Sequence, residues 1–215
     1  MAGKKSERSR EAAQERASLL TPVAKAFATD IGVEVSSLGV QVHGGMGYIE
    51  ETGAAQHYRD ARIAAIYEGT NGIQAIDLVT RKLPSAGGES VRKHIADLRR
   101  TAETVRAANN PAFGATGARL SEAIDSLERT TAWLLGRPLD DASLAGATPY
   151  LRLFATATGG ALLAEEALVA ARVGGDSDAR IAIARFFAEH LAPNSSGLER
   201  EVIEGAESVS DVALA

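Results

Sequence analysis

From residue 21 the chain places its apolar side chains at three- and four-residue steps. Val23, Phe27, Ile31, Val35 and Leu38 form one stripe, the spacing of a helix face. Thr21-Pro22 just before it has the order of an N-cap followed by proline at the first helical position, where the missing N–H costs nothing. A helix start is therefore expected there. The stripe breaks at Gly44-Gly45, with Gly47 just beyond. Ile73, Ile76, Val79 and Leu83 mark another helix, started near Gly72 and stopped at Pro84. Pro84 to Gly88 has the composition of a linker.

The same period resumes afterwards. Val91, Ile95, Leu98, Ala102 and Val105 line one face until Asn109-Asn110-Pro111. Ile124, Leu127, Thr131 and Leu134 line the next, closed by Gly136 and Pro138. Thr148-Pro149 repeats the cap-plus-proline start before Leu151, Phe154, Leu162, Leu163 and Leu168. Gly174-Gly175 separates that helix from one carrying Ile181, Ala184, Phe187 and Leu191, ended by Pro193. No stretch alternates β-branched residues between hairpin turns. The expected fold is all-α. Residues 1–20 form a charged N-terminal segment, 21–83 a first helical unit, 84–88 a linker and 89–215 a second, antiparallel bundle of about four helices. The first unit has little apolar area for a core of its own. It is expected to pack on the second half, on another subunit or on sequence outside the chain.

Composition narrows the chemistry. The 215 residues hold 23 Lys and Arg against 28 Asp and Glu, a formal charge of −5, so there is no basic footprint for nucleic acid. With no cysteine, disulfides, thiolate metal sites and thiol catalysis are excluded. His43, His57, His94 and His190 are scattered without a metal-ligand spacing. No apolar h-region follows the N-terminal charges. The most apolar stretch, 151–173, is interrupted by Arg152, Glu165, Glu166 and Arg172, so no membrane span is expected and the chain is placed in the cytoplasm. Trp133 and Phe186-Phe187 fall on helical faces and are expected in the core. Arg99-Arg100 is expected on an exposed face.

Two short segments carry candidate chemistry. In Gln41-Val-His-Gly-Gly-Met-Gly-Tyr48 three glycines in four residues permit positive φ and close backbone approach, so exposed N–H groups could hold a phosphate. A helix C-cap and turn is the plainer reading. No strand precedes it, so it is not a dinucleotide fingerprint. In Ile66-Tyr-Glu-Gly-Thr-Asn-Gly-Ile-Gln74 an apolar and aromatic flank sits beside Glu68, and exclusion of water there would favour a general base. A capping loop with Glu68 facing solvent is equally consistent with the residues, and physics alone does not choose.

Together, QVHGGMGY at 41–48, RDARI at 59–63 and YEGTNGIQ at 67–74 resemble the carboxyl-terminal helical domain of acyl-CoA dehydrogenases, in order and spacing over residues 21–83. The resemblance implies that Glu68 is the base that takes the α-proton of an acyl-CoA thioester while a hydride leaves the β-carbon for FAD, giving a trans-2-enoyl-CoA. It implies that the Glu68 N–H and a flavin ribityl hydroxyl hold the thioester carbonyl. Tyr67 would line the acyl pocket, and Gly69 would keep the turn thin. Gln41, Gly44 and Gly45 would meet the adenylate end of FAD across a subunit interface, and Thr70 and Asn71 would touch the flavin of their own subunit. Gly72 departs from the commoner Gln. Arg59-Asp60 is expected as an ion pair fixing the loop before the base.

The amino-terminal helical domain and the middle β-domain that cradles the flavin in this family are not matched, so the chain by itself is expected to be inactive. Its extension beyond Leu83 resembles a subset of bacterial members with an extra carboxyl-terminal helical domain, methylthiopropanoyl-CoA dehydrogenases among them. The family implies electron-transfer flavoprotein as acceptor and a homo-oligomer, or docking to the missing domains. Two rival readings are a non-catalytic assembly or dimerisation module, and a subunit that complements a separate flavin-binding chain.

Overall fold

A computed structural model describes residues 2–174, 176–206 and 209. The remainder of the expected second bundle, 207–208 and 210–215, lies outside the described residues, as does Gly175 of the Gly174-Gly175 break. The described residues contain no strand. The helices are α1 (Ala2–Val42), α2 (Gly45–Tyr48), α3 (Ala54–Ala64), α4 (Asn71–Asp77), α5 (Glu89–Ala107), α6 (Thr116–Leu135), α7 (Asp141–Ala145), α8 (Ala147–Val173), α9 (Ser177–Phe186) and α10 (Ser195–Glu204). Wider π-type turns, Leu78–Lys82 and Phe187–Leu191, extend α4 and α9.

α8 is the central element and packs on α1, α4, α5, α6, α9 and α10. Tyr150, Leu153 and Phe154 are wholly buried on it, together with a run of alanines from Ala155 to Ala167. Small residues let neighbours approach closely: a Cβ on Gly160 would stand 2.6 Å from Leu120 Cδ2. The buried Tyr150 hydroxyl meets Thr131 Oγ1 at 2.8 Å, as a buried phenol requires. By length and composition α8 could cross a bilayer, but 61% of its most apolar window is buried inside the bundle.

One hydrophobic core serves both halves. Leu19, Val23 and Ala26 of α1, and Ala75, Leu78, Val79 and Leu83 around α4, belong to the cluster that includes Val91, Leu98, Leu120, Leu127 and Phe154. Each fully buried leucine contributes roughly 1.5–3 kcal/mol, so the first unit draws its stability from the second. The stripes expected on α5 and α6 are buried throughout.

Expectations change at several points, among them Leu162 and Leu191, which are exposed. The helix does not start at Thr21-Pro22; α1 runs unbroken from Ala2 through Pro22. A proline removes one N–H bond, here the one due to the Ser18 carbonyl. The Pro22 ring is buried in return, and Thr21 Oγ1 donates back to Ala17 O at 2.7 Å. The α1 stripe also leaves the core partway, since Val35 and Leu38 are exposed. On α4 the buried face is Ala75, Leu78 and Val79, while Ile73 and Ile76 face outward. Phe186 is exposed as well, its ring tilted 31° against that of His190 with centroids 4.6 Å apart.

Candidate functional site

The second segment forms a tight turn between α3 and α4. Ile66 and Tyr67 both donate their N–H to Ile63 O, at 2.9 and 3.1 Å, which ends α3. Glu68 then adopts φ 53° and Gly69 φ 82°. The left-handed region costs a side-chain-bearing residue about 1–2 kcal/mol, so something must hold Glu68 there. Thr70 Oγ1 caps α4 by accepting from Ile73 N at 3.3 Å. Asn71 N reaches back to Ala65 O at 3.2 Å and closes the turn.

The rest of the restraint comes from α1. Lys25 Nζ donates to Gly69 O and to Asn71 Oδ1, each at 2.8 Å. Asn71 Nδ2 donates to Ala26 O at 3.1 Å, Thr29 Oγ1 at 2.9 Å and Asp30 Oδ1 at 2.7 Å. Gln74 Nε2 donates to Glu68 O at 3.1 Å. The Asn71 amide is thus committed to α1. Tyr67 is 53% exposed and Glu68 is exposed, so the flank alone does not exclude water from the carboxylate. The Glu68 N–H has no acceptor among the described residues. A free donor therefore stands next to a free carboxylate, on a backbone fixed from both sides.

The sequence singles out Glu68 to Asn71 but not Lys25, Thr29 and Asp30, which hold the turn. Their partners lie more than forty positions away, and on α1 they look like the solvent side of an amphipathic helix. Only the four-residue step from Lys25 to Thr29 hinted at a shared polar face.

The glycine segment ends α1. Gly44 takes φ 60° and ψ −145°, a conformation essentially reserved for glycine. Gly47 is dictated by packing, because a Cβ there would stand 2.3 Å from Val40 O. Gly45 has neither reason, since its φ is negative and a Cβ would meet nothing within 4 Å. Gln41, Gly44 and Gly45 are all exposed. Behind them, Arg59 makes a two-pronged ion pair with Glu50 at 2.8 and 2.7 Å, tying α3 to the turn Glu50–Thr52. Thr52 Oγ1 donates to Met46 O at 2.6 Å. From Thr29 to Val42 is about 20 Å along α1 at 1.5 Å per residue, so the two segments are separate contact points on one rod. Val35 and Leu38 lie exposed between them, and Val42 (85% exposed) and Tyr48 (81% exposed) are exposed in the glycine segment itself. Exposed large apolar side chains grouped at this end of α1 are the composition of a docking surface. No group of three metal-binding side chains occurs among the described residues.

Residues 6–83 match the family described as "Acyl-CoA dehydrogenase, C-terminal domain", and residues 90–213 match "Acetyl-CoA dehydrogenase C-terminal like". The chain is 40% identical to the 3-methylmercaptopropionyl-CoA dehydrogenase of Ruegeria pomeroyi, over 97% of the chain and 37% of that protein. It is 31% identical to a butyryl-CoA dehydrogenase of Syntrophomonas wolfei, over 82% of the chain and 30% of that protein. The human mitochondrial short-chain specific acyl-CoA dehydrogenase is 44% identical over 63 residues, 29% of the chain and 15% of that protein. Caenorhabditis elegans ACDH-11, solved in complex with C11-CoA, has the same fold with a TM-score of 0.67 at 23% identity, covering 95% of the chain and 34% of its own. The chain spans about a third of the length of the first two relatives.

Proposed function

Because the chain belongs to the acyl-CoA dehydrogenase family, as the carboxyl-terminal helical part, we propose that it carries the catalytic base of an FAD-dependent dehydrogenation of an acyl-CoA thioester. The single observation that carries this reading is the turn Tyr67-Glu68-Gly69. It is held in a strained conformation by Lys25, Asn71 and Gln74, with its carboxylate and its N–H both without partners among the described residues.

That arrangement meets the demands of the reaction. An α-proton is weakly acidic, and its removal needs a positioned carboxylate together with a donor at the thioester oxygen, where charge develops. Glu68 supplies the carboxylate that takes the proton, and its own N–H is the donor left available for the oxygen. Bound FAD would supply the acceptor for the hydride that leaves the β-carbon, so that the product would be a trans-2-enoyl-CoA. Gly45, open and unexplained by packing, suits close approach of the adenylate end of FAD, with Gln41 and Gly44 beside it. Thr70 and Asn71 serve the flavin end by fixing the turn. Tyr67 and Gly69 face the acyl group. The names of the two bacterial relatives support a short acyl chain as substrate class.

The exposed apolar side chains around the end of α1 and the solvent-facing Glu68 support a chain that works docked, against the remaining domains of a longer dehydrogenase or against a flavin-binding partner. Electron-transfer flavoprotein is the proposed electron acceptor. In the complete enzyme Glu68→Gln is expected to lower α-proton exchange by about 10²–10⁴-fold, the usual worth of a general base, while flavin absorbance stays unchanged. Normal exchange in that variant removes Glu68 from the role.

A further inference from the structure

On α1, Lys25 and Thr29 form one row and Ala26 and Asp30 the row beside it, each one helical turn long. The side chain of Asn71, the first residue of α4, lies across both rows. Lys25 Nζ can only donate, so the amide atom 2.8 Å from it is Oδ1. The Asp30 carboxylate accepts, so the amide atom 2.7 Å from it is Nδ2. A cation at one end and an anion at the other thus fix which way the amide points. Its second proton has Thr29 Oγ1 at 2.9 Å and Ala26 O at 3.1 Å to go to, and the Asn71 main-chain N–H is taken by Ala65 O at 3.2 Å. Any cofactor group that met this side chain would have to displace one of these partners.

The same lysine reaches the main chain beside the proposed base. Its ammonium holds Gly69 O at 2.8 Å, one residue past Glu68, while Gln74 Nε2 holds Glu68 O at 3.1 Å. Glu68 stands at φ 53°, a region that a residue with a side chain leaves once it is released. Rotation toward negative φ changes the angle between the free N–H and the carboxylate. Those are the two groups that the proposed reaction needs in fixed relation to one thioester.

We propose that Lys25, Asn71 and Asp30 are positioning residues for the proposed base, and that Asn71 acts on the reaction through Glu68 and not by a side-chain contact to the flavin. The inference rests on the reading of Glu68 as base. It assigns a role in the proton-abstraction step to two residues of α1 that touch no reacting atom, and it separates Asn71 from the residues that would hold the cofactor.

The test follows α-proton exchange in heavy water by the complete, FAD-loaded enzyme, with butyryl-CoA and 3-methylmercaptopropionyl-CoA as probes. Lys25→Met is expected to slow exchange at saturating thioester about 10²-fold, the cost of displacing a catalytic group by about 1 Å, with KM and flavin absorbance per chain unchanged. Asn71→Asp sets a second carboxylate against Asp30 and is expected to slow exchange to the same degree. Adding Asp30→Asn exchanges donor and acceptor across that contact and is expected to restore most of the rate. Loss of flavin in Asn71→Asp overturns the proposal, and so does the absence of recovery in the double variant. A full rate in Lys25→Met beside a slowed Glu68→Gln also overturns it, while leaving Glu68 as the base. A full rate in Glu68→Gln removes the base, and the proposal with it. The double variant keeps the native charge at this contact, so it decides even where Lys25→Met fails to fold.

Discussion

At the scale of the residue, Glu68 is placed against its own backbone preference. Its side chain makes no hydrogen bond or ion pair among the described residues, and what offsets the left-handed φ is Lys25, Asn71 and Gln74 acting on main-chain carbonyls and on each other. Stability and function should therefore part company here. Glu68→Gly is expected to raise the unfolding free energy of the chain by up to about 1 kcal/mol, since glycine takes this φ without penalty, although it deletes the proposed base. Lys25→Met is expected to lower it by about 0.5–1.5 kcal/mol, because two carbonyl-type acceptors exchange their donor for water. Urea unfolding of the two variants checks both signs; a destabilised Glu68→Gly would mean that the turn is not strained. The candidate residues of this turn were legible as a motif. Their anchors were not, since a lysine on a helix and an asparagine forty-six positions later share no local pattern.

At the scale of the element, periodicity revealed what obeys it. The stripes of α5 and α6 were readable because every third or fourth residue meets the same core. The start of α1 was misread because Thr-Pro carries a strong local signal for a helix start, and tertiary packing of Pro22 outweighs it. The outward half of α1 looked like core because an apolar stripe has the same spacing whether its cover is in the chain or outside it. The glycine turn shows the complementary case. Three glycines look alike in sequence, yet Gly44 is required by its φ and ψ, Gly47 by the Val40 carbonyl, and Gly45 by neither. Gly47→Ala is expected to displace α2 and cost about 1–3 kcal/mol, as overpacking does. Gly45→Ala should leave stability unchanged. In the complete enzyme, a loss of flavin in Gly45→Ala with an unaltered melting temperature would support a contact at that position, and retained flavin would remove Gly45 from the site.

At the scale of the whole molecule, the all-α architecture was legible, and so was the first unit's need of a neighbour; which of three neighbours it takes was not, because the composition of Pro84 to Gly88 says nothing of what packs across it. The structure instead places three successive residues, Ala86, Gly87 and Gly88, at φ 51°, 65° and 80°, a sharp reversal that folds α5 back beside α1. Core residues face each other across it, from Leu19, Leu78 and Leu83 to Val91 and Phe154, and Ser90 meets Glu15. The peptide bond between Ala86 and Gly87 is exposed, yet little of the cohesion of the fold passes through it. A protease that cuts after small residues should therefore nick the chain there and leave one particle. The two fragments are expected to co-elute on gel filtration in buffer and to separate only in denaturant; fragments that drift apart in buffer would mean that the shared core is too weak to hold them. Expressed from two genes, residues 1–86 and 87–215 should then find each other and rebuild the fold by complementation, with the reversal serving only to keep their local concentration high.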